Sequence, residues 1–209
     1  MNGMRLLRLV SLSVALFAVS ASTAFAQAQN AETFLRDRHQ AVERILSRAA
    51  RTDADRSRRQ TELDSALEGL LDYDALAEAA LVDHWSGLQP AQRTEFVGLL
   101  RQLVQRSYRN NLESTRDFVI RYTGTDTRGQ SHIVHTTARS RTNGRAPEVG
   151  IDYELRQNGA SWKVTDVVTD GVSLVRNYRS QFHRIVQRDG WDALIRRMRE
   201  RSQSDRNDV

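Results

Sequence analysis

The chain has 209 residues, with 31 basic against 26 acidic side chains, five histidines and no cysteine. Without cysteine it has neither a disulfide framework nor a thiolate metal site. Arginines and acids are interleaved almost throughout, and no Lys/Arg run with interspersed aromatics appears, which argues against nucleic acid as a partner.

Arg5 and Arg8 precede an apolar run, Leu9–Val19, and Ala24-Phe25-Ala26 supplies the small residues that a signal peptidase reads. Residues 1–26 are therefore predicted to be a cleaved signal peptide, with the mature chain starting at Gln27 outside the cytoplasm. The run of 11 residues is short of the roughly 20 needed to span a bilayer, and Ser20, Ser22 and Thr23 follow it. No retained anchor is expected, and with no cysteine to carry a lipid the product is predicted to diffuse freely. Removing 26 residues leaves 183, and losing two arginines lowers the net charge from +5 to +3. That length suits one domain, placed at 27–201, burying about 70% of its unfolded surface.

From Ala31 to Arg51, Phe34, Ala41, Val42, Ile45, Leu46 and Ala49 recur at helical spacing. A polar break with capping residues, Thr52 to Asp55, leads to a second helix carrying Leu63, Ala66, Leu67, Leu70 and Leu71. Asp72 or Asp74 caps a short segment with Leu76, Ala79, Ala80 and Leu81, which runs into His84-Trp85 and a turn at Gly87. Pro90 suits the first turn of the strongest helix, whose stripe is Phe96, Leu99, Leu100, Leu103, Val104, Ser107, Tyr108 and Leu112.

After Asn111 the period changes to two. Phe118, Ile120 and Tyr122, then Ile133 and Val134, then Val149, Ile151, Tyr153 and Leu155, then Trp162 to Val168 read as antiparallel strands. Turns are expected at Asp126 to Gly129, Thr142 to Pro147 and Asn158-Gly159, and the fourth strand is expected to stop at Asp170-Gly171. Ser173 caps a helix with Leu174, Val175, Tyr178, Phe182, Ile185 and Val186, Gly190 ends it, and Trp191, Leu194, Ile195 and Met198 add a last turn or two. The polar stretch 202–209 is predicted to be a disordered tail. The order argues for an α+β fold, helices packed on one face of a curved four-stranded antiparallel sheet.

Candidate chemistry is sparse. His132 and His135, three apart in a strand, fall on opposite faces and make poor metal partners; His84 beside Trp85 reads as a packed or half-exposed histidine. Asp152 and Glu154 suit a solvated face. No G-x-S-x-G, H-E-x-x-H, P-loop or G-x-G-x-x-G is present. Asp166, in the alternation of Trp162 and Val164, is the best candidate for an inward acid in an isomerase-type cone, against a structural role at the strand–helix corner. Inward apolar positions are many for one sheet face, and periodicity does not distinguish a filled core from a cavity.

The run from Trp162 through Thr165, Asp166, Asp170-Gly171, Ser173 and Tyr178 to Phe182 resembles the most recognisable stretch of the MlaC family, periplasmic phospholipid-binding proteins of the Mla lipid-transport pathway. A second block agrees: Tyr73, Leu76, His84-Trp85, Pro90, Gln92-Arg93, Phe96 and the helix through Tyr108. The similarity spans roughly 62 to 196. Thr165 and Asp170 depart from the aromatic and the Glu usual at those places.

The resemblance implies an NTF2-like cone with an internal apolar pocket, no catalysis and no cofactor, and a phospholipid carried as cargo by its acyl tails with the headgroup in water. Two tails of about 16 carbons carry on the order of 25 kcal/mol of gross transfer free energy, which calls for a deep, dry slot. Val149, Ile151, Tyr153, Trp162, Val164, Leu174, Tyr178 and Phe182 are expected to line or close it, faced by Leu100, Val104 and Tyr108. Arg176 and Arg179, near the start of a helix, are expected at its mouth, with a plain solvated helix face as the other reading. The implied partners are an inner-membrane ABC transporter complex with an MCE-domain protein and an outer-membrane lipoprotein-porin complex. The alternative is a small-molecule enzyme of the same cone shape using Asp166.

Overall fold

The computed structural model describes residues 30–115 and 117–203, leaving aside the side chains of 109–115. The expected signal segment, and positions 204–209 of the expected tail, lie outside the described residues. Helix α1 covers 30–47. Thr52 then opens α2 (Asp53–Leu70) with a reciprocal capping box, its hydroxyl accepting from the Asp55 N–H while the Asp55 carboxylate accepts from the Thr52 N–H. Of the two candidate caps for α3 (Tyr73–Ala80), Asp72 is the one used, its carboxylate accepting from the Ala75 N–H at 3.0 Å. A single 3₁₀ turn, Trp85–Gly87, leads to α4 (Pro90–Thr115).

Strands β1 (Phe118–Arg128), β2 (Ser131–Ser140), β3 (Val149–Asn158), β4 (Ser161–Thr169) and β5 (Val172–Ser173) form one antiparallel sheet in sequence order. The sheet has five strands, not the expected four. Asp170 and Gly171 both take positive φ, 46° and 81°, so the dipeptide read as a stop is a hairpin turn that returns the chain for two more paired residues. The β1–β2 turn is also tighter than expected: Arg128 pairs with Ser131, so the segment from Asp126 belongs to the strand.

Helices α5 (Leu174–Asp189) and α6 (Trp191–Gln203) complete the chain. Ser173 caps α5, its hydroxyl accepting from the Arg176 N–H, and Gly190 (φ 84°) separates the two helices. Helix α6 continues through Ser202 and Gln203, two residues into the segment expected to be tail.

The helices cover one face of the sheet. Phe96 (fully buried) meets Phe182 edge-on, ring centroids 5.4 Å apart, among Leu35, Leu81, Leu100, Leu155, Val164 and Leu194. Each such side chain contributes roughly 1.5–3 kcal/mol by leaving water. The end of α2 is tied to the sheet where Leu71 bridges Val164 and the Asp72 N–H donates to the Val164 carbonyl at 3.0 Å.

Two β-bulges curve the sheet. In β1 the register shifts between Tyr122 and Gly124, and in β4 it shifts so that Glu154 faces Asp166 while Leu155 faces Val164. On the helix side β3 thus presents Val149, Ile151, Tyr153 and Leu155, flanked by Thr136 and Val134 of β2 and Val167 of β4.

Candidate functional site

Along that face of β3, Leu155 is fully buried, yet Val149, Ile151 and Tyr153 keep accessible surface. The same gradient runs along α4, where Phe96, Val97, Leu99 and Leu100 are buried and Leu103, Val104 and Tyr108 are half-buried. On α5, Phe182 is buried and Leu174, Val175 and Tyr178 are half-buried. Close-packed interiors leave few voids, so inward-facing apolar side chains that stay accessible line an opening. Helix α4 packs against α6, α3 and α2, and its Tyr108 lies near Tyr153 of β3.

The wall of the opening carries a polar cluster. The Tyr122 hydroxyl and His39 Nδ1 are hydrogen-bonded at 2.8 Å, and the His39 ring stands edge-on to Tyr153 with centroids 5.2 Å apart. Burial, with a smaller contribution from the Arg36 guanidinium, pulls the His39 pKa down to about 4. Burial pushes Tyr108 up to about 12 and raises the Tyr153 phenol further, helped by the neighbouring Tyr108 and Tyr122 hydroxyls. These groups are neutral at pH 7. They have lost most of their hydration to surrounding protein, yet each remains accessible, as expected of an interior wall rather than an outer surface. At the rim, Arg36 lies 3.8 Å over the Tyr122 ring and pairs with Glu32 at 2.5 Å.

The residues expected to line the slot therefore divide. Leu100, Trp162, Val164 and Phe182 are buried, whereas Val104, Tyr108, Val149, Ile151, Tyr153, Leu174 and Tyr178 are half-buried and keep accessible surface. Tyr178 stacks on Phe182 at 5.3 Å, joining the two sets.

Arg179 is engaged by the protein itself. Both its Nε and a terminal nitrogen donate to the Asp83 carboxylate, at 2.9 and 2.8 Å, so its charge is spent on clamping α5 to the end of α3. Hydrogen bonding from that guanidinium holds Asp83 below the usual carboxylate range. Arg176 is exposed on the first turn of α5. His39 and Arg36 were not among the expected site residues. The signal was present: His39 falls between Leu35 and Val42 on one face of α1, where a histidine interrupts an apolar stripe.

Asp166 does not point into the slot. The extra residue Thr165 takes it out of the alternation of Trp162 and Val164 and sets it opposite Glu154. One of its oxygens accepts from the Val167 and Val175 N–H groups, at 2.8 and 3.1 Å, and the other accepts from the Ser173 hydroxyl at 2.5 Å. It is a brace for the strand–helix corner.

The remaining histidines are also structural. His132 packs edge-on against Trp162, whereas His135, on the other face, bridges Asp152 at 2.8 Å and Asp126 at 3.2 Å. His84 stacks on His183, nitrogens 3.1 Å apart. Among the described residues no group of three His, Cys, Asp or Glu is arranged to hold a metal ion, and no helix is long and apolar enough to cross a membrane. An open surface groove of about 530 Å³ between α1 and α2 is lined by Arg44, Arg48, Thr61, Glu62 and Ser65 around Ala41 and Ile45. Its Arg48–Glu62 pair and its openness to water make it unsuited to an acyl chain.

The chain thus combines a helix-covered antiparallel sheet, half-buried apolar side chains on its inner face, neutral polar groups beside them and the Arg36–Glu32 pair at the rim. The MlaC protein family profile matches residues 37–200, and the chain belongs to that family. The fold is also that of a phospholipid-binding protein from Ralstonia solanacearum, solved in complex with a phospholipid; it shares 21% sequence identity over 84% of this chain and 98% of that one, with a TM-score of 0.69. Among curated proteins none matches.

Proposed function

We propose that the protein binds phospholipid by its acyl tails in the slot between the sheet and α1, α4 and α5, and carries it through the periplasm between an inner-membrane ABC transporter complex with an MCE-domain protein and an outer-membrane lipoprotein-porin complex. The observation that carries this reading is the row Val149, Ile151 and Tyr153, apolar-faced, turned toward the helices and still accessible, with Tyr108 of α4 near Tyr153. An acyl chain laid there completes packing that the protein alone leaves open. Each CH₂ removed from water contributes about 0.8 kcal/mol, so a diacyl lipid leaves such a slot slowly unless a partner opens an apolar path. Family membership and the phospholipid held by the Ralstonia protein support the cargo.

The enzyme reading is weaker, because all three hydrogen bonds to Asp166 come from the protein's own corner. The test is transfer: delipidated mature protein is incubated with vesicles containing phosphatidylglycerol and phosphatidylethanolamine, re-isolated, and its phosphorus measured. Stoichiometric phospholipid is expected, and a protein that emerges without phosphorus overturns the reading.

A further inference from the structure

The polar groups of the slot are graded by depth. Arg36, with 45% of its side chain exposed, marks the rim, and Tyr122 lies directly beneath it. His39 and Tyr153 follow inward, with Tyr108 across from them on α4.

Tyr108, Tyr153 and the His39–Tyr122 pair each have a hydrogen-bond donor to spare. Neither the Tyr153 nor the Tyr108 hydroxyl has a hydrogen-bond partner among the described residues. His39 is neutral, and its single bond to Tyr122 leaves one donor over in either tautomer. If Nδ1 accepts from the phenol, Nε2 carries a free N–H; if Nδ1–H donates, the Tyr122 hydrogen is free. The cluster thus offers three spare donors, from Tyr108, from Tyr153 and from the His39–Tyr122 pair. The carboxylates of Glu32, Glu43 and Asp37 lie within electrostatic reach of Tyr122, but among the described residues no hydrogen bond joins any of them to the cluster.

Donors left unpaired become costly once a ligand excludes water from this wall, and a charged acceptor would be costly to desolvate there. A ligand group that takes up these donors is an uncharged acceptor. In an amphiphile held tails inward that group is the acyl ester, whose carbonyl oxygens lie one headgroup below the water surface, at the depth of this cluster beneath Arg36.

We infer that Tyr108, Tyr153 and the His39–Tyr122 pair form a subsite for the ester carbonyls of a glycerolipid, so that the protein distinguishes ester-linked from ether-linked lipids. This rests on the lipid-binding reading above and deepens it. The subsite sets selectivity by linkage rather than by headgroup.

The test is a competition. Delipidated protein is offered equal amounts of a diacyl phosphatidylglycerol and its dialkyl ether analogue of matched chain length, in mixed vesicles, and the two bound masses are compared by native mass spectrometry. Wild type is expected to favour the ester form by about fivefold for each carbonyl hydrogen bond made. Tyr153→Phe and Tyr108→Phe are each expected to bring the ratio toward one. Tyr73→Phe is the control: this phenol sits at the start of α3, outside the cluster, and the ratio should match wild type. Equal binding of both lipids by wild type, or a ratio unchanged in both slot variants, overturns the subsite while leaving lipid binding standing. Binding of neither lipid overturns both.

Discussion

The Ser173 hydroxyl donates to Asp166 at 2.5 Å and accepts from the Arg176 N–H at 3.0 Å, so one side chain joins strand β4 to the first turn of α5. Removing Asp166 strands the Val167 and Val175 N–H groups and the Ser173 hydroxyl together. Asp166→Ala is expected to cost about 2 kcal/mol or more, and Ser173→Ala about 1 kcal/mol, read as shifts in urea midpoint. Bound lipid per folded molecule should be unchanged in Asp166→Asn.

Closed and open parts of the sheet face are expected to respond differently to truncation. Leu155→Ala empties a fully buried site and should cost about 2–5 kcal/mol. Ile151→Ala enlarges an opening that already exists, and should cost clearly less in delipidated protein. Val104→Trp and Ile151→Trp are expected to fill the slot, lowering bound lipid while the delipidated protein keeps its melting temperature. Equal costs for Leu155→Ala and Ile151→Ala would mean that the opening is filled.

Two histidines tilt the pH dependence of stability in opposite directions. Folded His39 gives up its proton near pH 4 against an unfolded value near 6.5. The unfolded chain therefore binds more protons in that window, and stability falls by up to about 3 kcal/mol as the pH drops from 6.5 toward 4. For His135, partial burial alone would lower the pKa, but hydrogen bonds to the Asp152 and Asp126 carboxylates outweigh it and the pKa is raised. Its contribution is fully present below about 6.5 and is lost as the pH rises through the higher folded value, with a shallow slope because the pair is largely solvated. Denaturation curves from pH 4 to 8 should flatten on the acid side in His39→Gln and on the neutral side in His135→Gln.

Because Arg179 is engaged by Asp83, Arg179→Ala should leave binding of anionic and zwitterionic lipid alike. Asp83, held low by that guanidinium, contributes stability above its unfolded pKa that is lost as the pH falls through the folded value, so the variant should differ from wild type most at neutral pH. A selective loss of phosphatidylglycerol binding in Arg179→Ala would instead return this arginine to the mouth.

The helices, the Ser173 cap and the meander were legible because caps, Gly190 and the change of period from 3.6 to 2 are local signals. The fifth strand was not, since Asp170-Gly171 serves equally as a stop or as a hairpin turn, and only pairing with Val168 and Thr169 decides. Asp166 was misplaced because alternation counted from Trp162 carries no mark of the extra residue Thr165. The inward apolar positions followed from alternation, but their division into buried and half-buried sets depends on how far α4 stands from the sheet, which no single segment encodes. His39 required knowing that α1 crosses β1 beside Tyr122.

Native mass spectrometry of the mature protein purified from its own cell envelope bears most directly on the central claim. The slot predicts a folded species carrying the added mass of one or two diacyl phospholipids, released on collisional activation as intact lipid. A single folded species at the mass of the polypeptide alone, unchanged after exposure to phospholipid vesicles, would contradict it.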